Sequence, residues 1–204
     1  MTKQCQALFL LLSVSYLFSS DLTAATVTAA GTSTKALNFI QSSCKVTTYQ
    51  SLCVDTLSVY ANTIQTSPRR LVDAAIAVSL KQALSTKLFI SHLRKSQFQT
   101  FADCRPSTDT FTTDAQCSVE ELQEVVNCNS WTECLFHTNN AEVCAIAGEY
   151  MVENSCSSPF ADPVKMSVRG GISDAVRKSL HTQFAKLHHE INNVKMLFIA
   201  FAKN

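Results

Sequence analysis

The chain has 204 residues and a formal net charge of +1, with 17 Lys plus Arg against 16 Asp plus Glu. That length suffices for one domain with a buried core. The charge balance excludes a general polyanion binder, and aromatics do not interleave with the scattered basic residues as they would on a nucleic-acid platform. Only four Gly and four Pro occur, too few turn residues for a sandwich or barrel, so the composition predicts an all-α fold with few loops.

In chain order, the first element is a secretion signal. Lys3 supplies a positive start, and Ala7 to Phe18 (ALFLLLSVSYLF) is an apolar run of signal-peptide length. Small residues follow, with Thr23-Ala24-Ala25 a candidate cleavage site, so residues 1–25 are read as a signal peptide. The run is shorter than the roughly 20 residues a membrane-spanning helix needs. No second such run and no KDEL-type ending follow, and the expectation is a soluble, exported protein. Residues 26–34 (TVTAAGTST) read as a flexible new N-terminus, and residues 35–204 as the folded domain.

Export changes how cysteine reads. Cys5 leaves with the signal, and the eight others are Cys44, Cys53, Cys104, Cys117, Cys128, Cys134, Cys144 and Cys156. An even count in an oxidising compartment is first a disulfide framework.

A short helix is predicted over Lys35 to Ser43, and another over Thr47 to Gln65 with Thr47 or Thr48 as N-cap. The second has an apolar stripe of Tyr49, Leu52, Cys53, Leu57, Tyr60 and Ile64. Ser67-Pro68 then starts a long helix, Pro being favoured at the first helical position. Its predicted apolar face is Leu71, Val72, Ala75, Ile76, Leu80, Ala83, Leu84 and Leu88, and it should reach Phe98 or Phe101. Arg105 to Gln116 is rich in Ser, Thr and Asp and has poor helical periodicity. Ser118-Val-Glu-Glu121 reads as a capping box opening a helix with Leu122, Val125 and Val126 on one face. Asn127 to Asn139, which contains the lone Trp131, reads as irregular, and Ala141 to Asn154 as helical again. After Gly170-Gly171 the final helix carries Leu180, Phe184, Leu187, Ile191, Val194, Phe198 and Phe201. That is a heptad seam, and burying it contributes roughly 10–15 kcal/mol before chain entropy is set against it.

The segment Asn38 to Ala61 (NFIQSSCKVTTYQSLCVDTLSVYA) resembles the plant pectin methylesterase inhibitor and invertase inhibitor family. The resemblance rests on the I-x-x-S-C and Y-x-x-L-C-x-x-x-L-x-x-Y-A patterns followed by an Ala- and Leu-rich helix. Ala102-Asp103-Cys104, Cys156 with Phe160, and Val164 to Arg169 match later family positions in order. The resemblance implies an up-down-up-down four-helix bundle preceded by a helical hairpin, and bridges Cys44–Cys53 and Cys104–Cys156. It also implies a secreted inhibitor of the cell wall or apoplast that caps the substrate cleft of its target enzyme. The target would be a pectin methylesterase or an invertase (β-fructofuranosidase). Invertase inhibitors of the family use a Pro-Lys-Phe element that is missing here, which favours the methylesterase.

Between Cys104 and Cys156 the chain departs from the family pattern. Asn140 to Ala147 stands where a Thr-Trp-x-Ser-Ala-Ala-like stretch is expected, and Cys117, Cys128, Cys134 and Cys144 are additional. Their pairing is left open by the spacing. Within this reading a non-inhibitory secreted helical protein is the alternative of another class.

Catalytic and metal chemistry find weak footing. Cys128, Cys134, His137 and Cys144 lack the tight C-x-x-C knuckle of a zinc site, and extra disulfides read better. His188-His189-Glu190 invites comparison with H-E-x-x-H, but Asn193 stands where the second His belongs, so a partly exposed helix face is expected. No G-x-S-x-G motif and no phosphate-cradling or cofactor-binding Gly loop occurs. The expectation is a protein without enzymatic activity, metal or cofactor. Asp55, Arg69, Arg70 and Asp73 lie on polar helix faces and are the candidate partner-binding residues.

Overall fold

The computed structural model describes residues 34–96, 105–154 and 174–201. The signal segment 1–25, Cys104, Cys156, Gly170, Gly171 and the expected helix end at Phe98 or Phe101 lie outside the described residues. Seven helices are present among them: α1 (Thr34–Cys44), α2 (Gln50–Ser58), α3 (Ala61–Ile64), α4 (Pro68–Ser96), α5 (Arg105–Asn127), α6 (Trp131–Asn154) and α7 (Asp174–Phe201). The long helices α4 to α7 form an up-down-up-down bundle in which α4 packs on α5 and α7, and α6 packs on the same two. The short helices form a hairpin laid over one end.

The hairpin's folding is local chemistry. α1 buries Ala36, Ile40 and Cys44, and α2 buries Cys53 and Leu57. A disulfide joins Cys44 to Cys53, closing a nine-residue loop worth about 2.5 kcal/mol in the chain-entropy model. The expected single helix from Thr47 to Gln65 is not formed. Thr47 Oγ donates to Cys44 O (2.8 Å), so this threonine finishes α1 and does not cap α2. α2 opens after Tyr49, which makes no side-chain cap. Asn193 of α7 takes that role over: its Oδ1 accepts from Tyr49 N and its Nδ2 donates to Tyr49 O, both at 3.1 Å. His189 stacks on the Tyr49 ring at 3.7 Å, so the hairpin is clamped to α7 by both backbone and ring.

α4 begins where Ser67-Pro68 predicts. Leu71, Val72, Ala75, Ile76 and Ala83 are buried, but Leu84 and Leu88 are exposed. The buried face instead continues through Ser79, Gln82, Thr86 and Ile90. Two of the polar members are satisfied in place: Gln82 Nε2 donates to Gln183 Oε1 (2.9 Å), and Thr86 Oγ1 donates to Gln82 O (3.0 Å), whereas the buried Ser79 hydroxyl has no protein partner.

The middle of the chain corrects the sequence reading most. Arg105 to Asn127 is one helix, so Ser118 is not an N-cap. It is fully buried in the helix interior, donating to Asp114 O (3.1 Å) with Ala141 O of α6 at 3.3 Å. The capping box lies 12 residues later, at Ser130-Trp-Thr-Glu133. Glu133 N donates to Ser130 Oγ (3.2 Å), and the Glu133 carboxylate accepts from Asn129 N (2.9 Å). α6 therefore starts at Trp131, and the stretch expected to be irregular is mostly helix.

The core is stacked in three layers. Next to the hairpin lie Leu57, Leu71, Ile76, Val125, Val194 and Leu197. Ala83, Val119, Leu122, Ala141, Leu187 and Ile191 form the middle. Ile90, Phe111, Ala115, Val152, Leu180 and Phe184 form the far layer. The α7 seam enters all three, as its heptad spacing predicts. In the far layer a Cβ on Gly148 would overlap the Phe184 ring, so only glycine lets the two helices approach this closely.

Candidate partner-binding surface

The corner where α4, α5, α6 and α7 meet the hairpin end carries a concavity of about 400 Å³. Val72 and Ile76 of α4, Val125 and Val126 of α5, Trp131 of α6 and Phe198 of α7 line it, with Arg69 and Asp73 beside them. The Trp131 ring stands edge-on to Phe198 at 4.7 Å. Disulfide Cys128–Cys134 fastens the three-residue connection from which Trp131 projects, so the aromatic wall is fixed to the bundle.

The four candidate partner-binding residues are all exposed, but the fold brings only two of them together. Arg69 and Asp73, one helical turn apart, share this groove. Arg70 points elsewhere: its guanidinium donates to Thr63 O and Gln65 Oε1, both at 3.4 Å, bracing the corner between α3 and α4. Gln65 there holds φ 53°, a left-handed turn that the brace helps to fix. Asp55 sits on α2 and does not line the groove. Trp131, which sequence reading placed in an irregular stretch, is the groove residue that reading missed as a surface feature. Its signal was the capping box Ser130-Trp-Thr-Glu133 that contains it.

A polar ladder joins α6 to α7. Glu142, Glu149 and Glu153 face His181, His188 and Lys195, the α7 residues recurring every seven positions. His181 Nε2 lies 3.0 Å from Glu153 and 3.6 Å from Glu149, His188 Nδ1 lies 3.1 Å from Glu149, and Lys195 pairs with Glu142. Asn192 Nδ2 donates to Glu142 Oε1 at 2.6 Å. His188-His189-Glu190 is thus not the partly exposed face expected from sequence throughout: Glu190 is buried. Burial pushes its carboxyl up to about 7, opposed by Lys186 at 3.8 Å. Burial also lowers the His189 imidazole, with His188 adding to the effect.

The additional cysteines are spoken for. Cys117 pairs with Cys144, tying α5 to α6, and Cys128 pairs with Cys134. His137 Nδ1 lies 2.8 Å from Glu121 Oε2. The four residues weighed as zinc ligands are therefore engaged otherwise, and among the described residues no group of three or more His, Cys, Asp or Glu is arranged to hold a metal.

The described residues define a disulfide-tied, all-α bundle with an aromatic-walled groove at its hairpin end. Residues 38–194 match the family model described as plant invertase/pectin methylesterase inhibitor, and the chain belongs to that family. It is 35% identical over 181 residues to pectinesterase inhibitor 11 of Arabidopsis thaliana, covering 86% of each chain. It is 26% identical over 182 residues to a 21 kDa protein of Daucus carota, covering 86% of this chain and 90% of that one. A shorter match, 38% identical over 89 residues, covers 43% of this chain and 40% of pectinesterase inhibitor 9 of Arabidopsis thaliana. No solved structure gives a significant match.

Proposed function

We propose that this chain inhibits a pectin methylesterase of the plant cell wall by one-to-one docking that blocks substrate access. The observation that carries the reading is the 35% identity, over 86% of both chains, to a protein named as a pectinesterase inhibitor. The preformed helix faces suit the role, because a rigid surface loses little ordering entropy on docking. Export to the apoplast is supported by the signal-like residues 1–25 and by three disulfides, which persist in oxidising compartments. No helix among the described residues is long and apolar enough to cross a membrane.

The groove flanked by Arg69, Asp73 and Trp131 is the part of the surface assigned to the enzyme. It offers an apolar pocket wall beside both signs of charge, the combination from which interface anchors are built. Purified protein is to be titrated separately into a pectin methylesterase and an invertase. The methylesterase loses activity, the invertase keeps it, and Arg69→Glu weakens inhibition about tenfold or more while Asp55→Ala leaves it within about twofold. Inhibition of neither enzyme at micromolar concentration overturns the reading, and inhibition of the invertase alone reassigns the target.

A further inference from the structure

Two buried polar atoms on different helices have no hydrogen-bond partner among the described residues, and they line the same small cleft. They are the Ser79 hydroxyl of α4 and Glu190 Oε2 of α7, on residues 0% and 4% exposed. The cleft lies where the hairpin meets α4 and α7. Thr56 of α2, Ser79, Glu190 and Asn193 are its polar lining, and the rest of its wall is cysteine, alanine, valine and leucine.

Ser79 departs from the habit of its own helix. Thr86 and Ser91 of α4 turn their hydroxyls back to the carbonyl four residues earlier, to Gln82 O at 3.0 Å and Lys87 O at 2.9 Å. That is a common resting place for a hydroxyl inside a helix. Ser79 does not make the equivalent bond to Ala75 O, and its hydroxyl and Glu190 Oε2 do not bond each other. Left dry, each group carries its full desolvation penalty, which native interiors rarely accept.

We propose that this cleft is a binding site for one water molecule, which bridges the hairpin, α4 and α7 through Thr56, Ser79 and Glu190. Size selects the ligand. The cleft offers about 10 Å³, and one water needs about 10–15 Å³, so nothing larger is accommodated. A metal ion is a poor match, because Glu190 is the one carboxyl in the lining. The donors and acceptors present fix the orientation. Ser79 donates its O–H to the water, and the water donates to Glu190 Oε2 and Thr56 Oγ1. Thr56 has given its own proton to Leu52 O (2.7 Å), so its lone pairs are left to accept. Glu190 Oε2 accepts in the ionised carboxyl and, as the carbonyl oxygen, in the protonated one. Three hydrogen bonds are the usual complement of a buried water. The bridge is a second polar tie between hairpin and bundle, beside the bonds of Asn193 to Tyr49.

A crystal structure of the intact, disulfide-bonded protein, at a resolution that shows ordered water, tests this directly. The expected result is one water at hydrogen-bond distance, about 2.7–3.2 Å, from Ser79 Oγ, Glu190 Oε2 and Thr56 Oγ1. Glu190→Gln retains it, because the amide oxygen accepts in the same place. Ser79→Val expels it, because a methyl group takes up the space. In solution the same water gives Overhauser contacts to the methyl protons of Thr56 and Val78, and these vanish in Ser79→Val. A well-ordered cleft without that density overturns the proposal, as does a Ser79 hydroxyl found donating to Ala75 O or directly to Glu190. A water that keeps its place in Ser79→Val also overturns it, because Ser79 then does not hold it.

Discussion

Helices α6 and α7 lie side by side, are of similar length, and carry the same four-three apolar spacing, yet they spend it differently. α7 places one seam inward: Leu180, Phe184, Leu187, Ile191 and Val194 are all at most 1% exposed. α6 carries two seams on opposite faces, the inner one small, with Ala141, Ala145 and Gly148, and the outer one large, with Phe136, Val143, Ile146 and Tyr150. The contrast shows that a bundle helix can be held by cross-links and close backbone approach as well as by bulky side chains. α6 is fastened by Cys117–Cys144 and Cys128–Cys134, by Gly148 under Phe184, and by the Glu–His–Lys ladder. Its large residues are thereby released for the surface.

If that division is right, damage to the two helices differs in size. Phe184→Ala removes a fully buried ring from the α7 seam and should cost about 3–5 kcal/mol, read as a loss in chemical or thermal unfolding.

Next comes pH, which acts on Glu190, buried on α7, and on the half-buried Asp114 of α5. Glu190 is raised from 4.5 to about 7 and Asp114 from 3.8 to about 6, in both cases by burial. The folded chain therefore holds these protons more tightly than the unfolded chain does. Their contribution is complete below the ordinary carboxyl values and is lost as pH rises through about 6 and 7. For Glu190 the loss approaches about 3 kcal/mol. His189, lowered by burial, acts in the opposite sense: its contribution is present above 6.5 and declines as pH falls. Stability should fall between pH 5 and 8, and Glu190→Gln should remove most of that slope. An unchanged slope in that variant would refute the assignment.

A smaller effect is expected at the α6 start. Replacing Cys128 and Cys134 together with Ser opens a six-residue loop and should cost about 2 kcal/mol. The same change should loosen the groove wall at Trp131, measurable as increased amide exchange over the start of α6. Smallest of all, Val143→Ala on the outer seam should change stability by no more than about 0.5 kcal/mol. A loss comparable to that of Phe184→Ala would erase the distinction between the two seams.

The same contrast explains what the sequence disclosed. A single stripe of large residues is readable, and so α7 was legible from Leu180 onward, as was the start of α4 at Ser67-Pro68. α6 was not, because apolar residues on both faces cancel any one-sided period. In α5 the buried stripe is Phe111, Ala115, Ser118, Val119 and Leu122, where alanine and serine stand at core positions. The Ser and Thr that suggested a loop instead bond back into the helix, as Thr113 does to Asp109 O at 3.0 Å. The S-x-x-E at Ser118 read as a cap, but Ser118 is buried against α6, and the sequence that caps a helix is Ser130 to Glu133, inside the stretch read as irregular. At the surface, Arg69 and Asp73 could be named from helix phase, but their meeting with Trp131 and Phe198 required the tertiary fold. Arg70 could not be told from Arg69 until the α3–α4 corner was in place.

Isothermal titration of the exported, fully oxidised protein into a pectin methylesterase, with turnover followed in the same mixtures, tests the proposed role most directly. Saturation at one inhibitor per enzyme, with residual activity falling in step with occupancy, is the predicted outcome. Absence of binding, or a saturated complex that still turns over pectin at full rate, would contradict it.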